Sequence, residues 1–197
     1  MQRQEAIAFF QRRIAANALD ADAHHNLAAL YRSRGDAELH ARHARIAWLT
    51  NCGGPKVWNE HALALMARPA AADEAWQVLQ DTMRFWPTFA HSFANAAVLL
   101  ARRGKYNEAL PYCLRALELA PGDAALHRNA SRLYEQLGRA SEAAHHRQRA
   151  TAIAPDDAEG FQRLAMLSLS VGGSTDTATQ HYSRYRALRG QHYDLKL

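Results

Sequence analysis

Apolar residues recur at helical spacing in short blocks, and each block ends on a residue that stops a helix. "AHSFANAAVLLARRG" (90–104) and "AALHRNASRLYEQLG" (124–138) run to a glycine, while the blocks after them, "YNEALPYCLRALELAPGD" (106–123) and "ASEAAHHRQRATAIAPDD" (140–157), run to a proline. Glycine takes the left-handed conformation that closes a helix, and proline removes a backbone donor so the chain stops being helical. The pattern predicts helices in pairs, each pair a hairpin.

The hairpins repeat. Pro87, Pro121 and Pro155 stand 34 residues apart, and Glu74-Ala75, Glu108-Ala109 and Glu142-Ala143 form a second series at the same interval. Agreement of independent series at one period is the mark of a repeat array, in which neighbouring units share a continuous core.

This pattern resembles the tetratricopeptide repeat, with a large residue at position 4, small at 8, Gly at 15, Ala at 20, bulky at 24, Ala at 27 and Pro at 32. The resemblance implies an all-α fold, an α-solenoid with a right-handed superhelix. It would hold about five hairpins in one domain over residues 1–197: units 21–54, 56–89, 90–123, 124–157 and 158–191 with one inserted residue near Pro55, and a tail at 192–197. Residues 1–20 read as a preceding half-repeat helix, with Ala6 at position 20 and Phe10 at 24. Position 8 carries Ala28, Leu63, Ala97, Ser131 and Ala165, mostly small, which lets paired helices approach closely. Position 20 carries His40, Ala75, Ala109, Ala143 and Thr177. Departures from the pattern cluster at "MARPAAADEAW" (66–76), where Pro69 replaces the glycine turn, and in the last unit. There His181 and Arg184 stand where a bulky residue and Ala belong, so its second helix is expected to be a polar end cap. Pro111, early in its helix, removes one backbone donor.

Composition narrows the class. No stretch approaches the roughly 20 apolar residues of a membrane span. Net charge is +5 and comes from arginine, because Lys56, Lys105 and Lys196 are the only lysines. Cys52 and Cys113 carry no motif and fit a reducing compartment, so a soluble cytoplasmic protein is expected. The Arg-containing N-terminus raises a mitochondrial alternative that its place in the repeat frame opposes. Phosphate-loop, dinucleotide, zinc-protease, serine-hydrolase and C-x-x-C motifs are absent, and scaffold positions use nearly every residue, so no enzyme activity and no cofactor are expected. The eleven histidines include the pairs His24-His25, His40/His43 and His145-His146. Adjacent histidines diverge on a helix and no third ligand shares a face, so these read as packing or solvated residues rather than a metal site.

Candidate function lies on the first helices, which the resemblance places along a concave groove. Position 6 reads Asn26, His61, Asn95, Asn129 and Arg163. An asparagine amide both donates and accepts, so a column of them pairs with the backbone of an extended peptide whatever its side chains. The column resembles the asparagine ladder in the repeat domain of O-linked N-acetylglucosamine transferase. Arg102, Arg128 and Arg132, with Arg163, make the groove basic and suited to an acidic or phosphorylated peptide. The five positions of the family's carboxylate clamp are poorly met from any starting unit. In the tail, Tyr182, Tyr185 and Tyr193 interleave with Arg184, Arg186 and Arg189, and are expected to seal the last layer rather than stack on bases. The chain thus reads as a scaffold or adaptor holding an extended or helical peptide segment. The alternatives are the substrate-recognition portion or a subunit of an enzyme such as a glycosyltransferase, and a structural subunit or RNA binder, with nucleic acid disfavoured by the scatter of the arginines.

Overall fold

The computed structural model describes residues 2–50, 54–172 and 174–194, and side chains over 3–50, 54–172 and 174–190. Cys52, Lys196 and the side chain of Tyr193 lie outside that range. Every regular element among the described residues is helical. They are α1 (Gln2–Ala16), α2 (Ala21–Arg34), α3 (Ala37–Thr50), α4 (Pro55–Met66), α5 (Ala72–Phe85), α6 (Ala90–Arg102), α7 (Tyr106–Leu119), α8 (Ala124–Gln136), α9 (Ala140–Ile153), α10 (Ala158–Ser170) and α11 (Thr175–Asp194), with a single 3₁₀ turn at Pro69–Ala71.

The chain divides into two compact units, Met1–Leu99 and Leu100–Leu197. In the first, α1 packs on α2, α2 on α3, α3 on α4 and α4 on α5, and α2 also touches α4. In the second, α7 packs on α8, α8 on α9, α9 on α10 and α10 on α11. Packing between chain neighbours is what a stack of hairpins produces.

The turns follow the sequence. Gly104 and Gly138 both take φ +72°. The next residue's N–H reaches back to the previous turn, Lys105 to Leu100 at 3.0 Å and Arg139 to Tyr134 at 2.8 Å, which satisfies carbonyls the helix end would strand. Gly35, with φ +75°, closes α2 in the same way. At helix starts, Asp20, Asp123 and Asp157 accept hydrogen bonds from backbone N–H groups of the first turn, the standard cap for otherwise unpaired donors. Pro111 is tolerated inside α7, which runs on unbroken to Leu119.

Small residues sit where helices approach most closely. Ala28, Ala97, Ser131 and Ala165 are buried, as are Ala75, Ala109 and Ala143. Leu63 is only half-buried, and Ala62, 34 residues after Ala28, is fully buried in its place. The phase of α4 therefore fits a unit beginning at Pro55. The extra residue expected near Pro55 is taken up instead by the turn around Pro69, where the 3₁₀ segment replaces a glycine closure. The last hairpin shifts likewise: Thr177 is exposed and Ala178 is buried. Elsewhere α11 is largely exposed. Tyr182, expected to seal the last layer, is 49% exposed and stacks obliquely on Tyr185 with centroids 5.5 Å apart.

The first unit has an aromatic layer of its own. Trp58 meets Trp48, Phe85 and Trp86 edge to face at 5.7 to 6.0 Å, an arrangement favoured by the ring quadrupoles. At its other end, Ile7 of α1 packs with Leu27 and Tyr31 of α2, so α1 covers an apolar face that would otherwise meet water.

Candidate functional site

The basic first-helix residues of the second unit converge. Arg128 and Arg132 on α8 and Arg163 on α10 line one cavity of about 770 Å³, joined by Arg147 from α9 and by Tyr185 and Arg189 from α11. Arg128 and Arg132 lie one helical turn apart and so share a face. Asp157, the cap of α10, brings its carboxylate to the same wall.

Two of these arginines are held by acids. Arg128 Nη1 donates to Asp157 Oδ2 at 3.4 Å, and Arg163 Nε to Glu135 Oε2 at 3.1 Å. Glu135 also accepts from Ser131 Oγ at 3.2 Å. Tyr185 Oη accepts from Arg189 Nη1 at 3.1 Å. Arg132 is exposed and has no ion pair among the described residues. Arg147 is different again: it is 2% exposed, and its Nε and Nη2 are enclosed with no hydrogen-bond partner. Burial disfavours its charged form most. Glu135 and Asp157 offset part of that, while Arg163 and Arg132 add to it.

Sequence reasoning missed Arg147 because it stands at position 24, where a bulky apolar residue belongs. The equivalent residues Ala44, Leu79 and Cys113 are all fully buried. The signal was available: a charge at a core position is itself an anomaly.

The other predicted residues lie in separate surroundings. Asn129, on α8 beside Arg128, is half-buried. Arg102, at the end of α6, is exposed. In the first unit, Asn26 is half-buried and its Nδ2 donates to its own backbone, to Asp22 O at 2.7 Å. Asn95 Nδ2 donates to Asn59 Oδ1 at 2.7 Å. His61 does not sit on a groove surface. The true phase of α4 turns it inward, where it is 3% exposed and stacks on Trp48 with centroids 4.6 Å apart. Its ring borders a cavity of about 210 Å³ with Arg45, Arg68 and Glu74, and burial holds its pKa below the ordinary value. Glu60 takes the equivalent of position 6 and is buried. Its Oε1 lies 3.0 Å from Arg32 Nε and 2.9 Å from His40 Nε2, joining α2, α3 and α4.

The histidines pair across hairpins rather than along the sequence. His24 Nδ1 lies 2.8 Å from His43 Nδ1, and His127 Nδ1 3.0 Å from His146 Nδ1. In each pair the first ring turns Nε2 to a carbonyl, Ala18 O or Pro121 O, both at 3.2 Å. That carbonyl only accepts, so Nε2 carries the proton and Nδ1 receives one from the second ring. Tyr31 stacks on His43 and Tyr134 on His146, each at 5.4 Å. His40 and His43, on one helix face, thus serve different partners. Among the described residues no three His, Cys, Asp or Glu side chains gather as a metal site. Cys113 is buried, and burial pushes its thiol up to about 12.

Glycine-closed antiparallel helix pairs, crossing on alanines and packed in chain order, define a helical-hairpin repeat protein. Residues 89–156 match the tetratricopeptide repeat family. Among solved structures it is similar to TTC0263, a thermophilic repeat protein of Thermus thermophilus, at 21% identity and TM-score 0.72, covering 85% of this chain and 91% of that one. It is also similar to MamA of Desulfovibrio magneticus RS-1, at 19% identity and TM-score 0.69, covering 87% and 96%. A third is YrrB, described as a tetratricopeptide-repeat protein with an unusual peptide-binding site, at 19% identity and TM-score 0.62, covering 95% and 98%. The curated proteins include no match. No helix among the described residues is long and apolar enough to cross a membrane.

Proposed function

We propose that the chain is a non-enzymatic adaptor, whose first helices hold an extended or helical segment of another protein. The observation that carries this reading is the α8–α10 face. There a half-buried asparagine, Asn129, follows Arg128 on α8, and Arg128, Arg132 and Arg163 line one cavity. An amide that donates and accepts, flanked by guanidinium forks, suits a peptide backbone with acidic side chains. The surface is built on helices already ordered by the core, so little ordering cost falls on this partner. The likeness to YrrB, a repeat protein with a peptide-binding site, accords with this use of the fold.

Asn129→Ala is the clean test, because among the described residues that amide holds no hydrogen bond. The partner is first identified by crosslinking and mass spectrometry, and its affinity is then measured against purified variants. Asn129→Ala is expected to weaken binding about fivefold, the worth of roughly one hydrogen bond, with unchanged circular dichroism and melting temperature. Asn95→Ala, Arg163→Gln and Arg102→Gln extend the test. Asn95→Ala also deprives buried Asn59 of its donor, so a small drop in melting temperature accompanies it. Binding that survives all four changes, yet is lost on substituting Arg115 and Glu118 on the exposed side of α7, overturns the reading.

A further inference from the structure

Arg147 plays no part in the proposed peptide contacts. This guanidinium has been removed from water, and two of its three nitrogens are enclosed without an acceptor. Such burial costs several kcal/mol unless a counter-charge and acceptors compensate it. Apolar residues fill the equivalent position in the three preceding hairpins, so the fold itself does not require a charge there.

Glu135 and Asp157 offset only part of that charge, no acceptor among the described residues meets Nε or Nη2, and space for one is present. Arg147 lines the cavity of about 770 Å³ that Arg128, Arg132, Arg163, Arg189 and Tyr185 also line. Asp157 and Glu159 are the acids of that lining, and Asp157 is engaged by Arg128. Glu135, just outside, is engaged by Arg163. Among the described residues that leaves exposed Arg132 and buried Arg147 as arginines without an ion pair, against Glu159 as the one acid of the lining without one. Two uncompensated guanidiniums around one cavity match a doubly charged oxyanion better than a single carboxylate, because each planar fork donates to two oxygens at once.

We propose that the second unit binds a phosphate-class dianion in this cavity, with Arg147 as the buried anchor and Arg132 as the exposed gatepost. The anion supplies the acceptors and the negative charge that Arg147 lacks. Its source is either free phosphate or a phosphoryl group on a hydroxyl side chain of a bound protein. The inference rests on the arginine geometry of one unit and needs no peptide, so it stands or falls apart from the adaptor reading.

Thermal melts of the full chain in inorganic phosphate, against sodium chloride at matched ionic strength, test it directly. Melting temperature is expected to rise with phosphate, by about 5–10 °C at one hundred times Kd. Arg147→Met replaces the charge with an unbranched apolar chain. It is expected to melt at or above the wild-type temperature in chloride, since an uncompensated buried charge is gone, and to lose the phosphate response. Arg132→Gln, at an exposed position with no role in the core, is expected to keep the wild-type melting temperature in chloride and to bind phosphate about fivefold more weakly. This second variant decides the matter should Arg147→Met fail to fold.

Titration with N-acetyl-O-phosphoserine amide and N-acetylaspartate amide then separates the sources. Binding of the phosphoserine compound in competition with phosphate supports a protein-borne phosphoryl group; binding of phosphate alone supports the free ion. The proposal is overturned if wild-type melting is the same in phosphate and chloride. It is overturned equally if folded Arg147→Met, or Arg132→Gln, responds to phosphate as wild type does, or if the aspartate compound binds as tightly as phosphate.

Discussion

At the position where α3, α5 and α7 bury Ala44, Leu79 and Cys113, α9 buries an arginine, and the cavity it lines is bordered by Asp157. Gly160, in the first turn of α10, lies against the side chain of Asp157, which caps that helix through Gly160 N–H at 2.9 Å and receives Arg128 on its other oxygen. A Cβ built on Gly160 would come within 2.8 Å of Asp157 Oδ2 and 3.0 Å of Thr151 Cγ2. Alanine ordinarily gains about 0.5–1 kcal/mol over glycine in a helix. Here the sign reverses, because the cap must move and a cap is itself worth about 1 kcal/mol. Gly160→Ala is expected to lower stability by about 1–2 kcal/mol in urea unfolding. A variant as stable as wild type, or more so, shows that Asp157 has room to yield.

Hairpin closure belongs to the element scale, and it was the most legible part of the chain. Gly104, Gly138 and the proline series mark turns through local backbone chemistry, which needs no knowledge of the rest of the fold. Gly138 isolates that chemistry, since a Cβ there meets nothing within 4 Å while φ is +72°. Gly138→Ala is therefore expected to cost about 1–2 kcal/mol from backbone strain alone. Gly122→Ala is the control, a site equally open but without left-handed backbone, and is expected to be neutral. Equal melting temperatures for the two variants contradict this account. What sequence hid was phase. One extra residue can be absorbed at either end of α4, and only burial shows that Ala62 rather than Leu63 enters the core and carries His61 with it. The site was half legible for a related reason. Arg128, Arg132 and Arg163 follow from first-helix positions, whereas Arg147 arrives from a second helix at a position the pattern assigns to the core. The histidine pairs were hidden because their partners lie 19 residues apart on different helices, while the adjacent histidines that catch the eye diverge.

Across the whole molecule, the duplicated histidine pair ties stability to pH. One copy lies in each unit, with His24, Tyr31 and His43 in the first and His127, Tyr134 and His146 in the second. Burial, then the facing histidine, lowers the pKa of His43 and of His146 from 6.5 to about 4. A proton added to His43 or His146 goes to Nε2, since Nδ1 already donates across 2.8 or 3.0 Å, and it places a charge in a half-buried ring. Between about pH 6.5 and 4 the unfolded chain therefore binds protons that the folded chain refuses, so stability is full above that window and falls as pH drops through it. Both rings are half-exposed, and after allowing for solvent screening each pair is expected to lose about 1–2 kcal/mol. Urea unfolding followed by circular dichroism at several pH values across the window measures this directly. The double variant His43→Leu, His146→Leu removes the outer ring of each pair while leaving the carbonyl bonds of His24 and His127 in place. Its loss of stability on acidification is expected to be about half that of wild type or less, and parallel curves for the two proteins would assign the acid sensitivity to other groups.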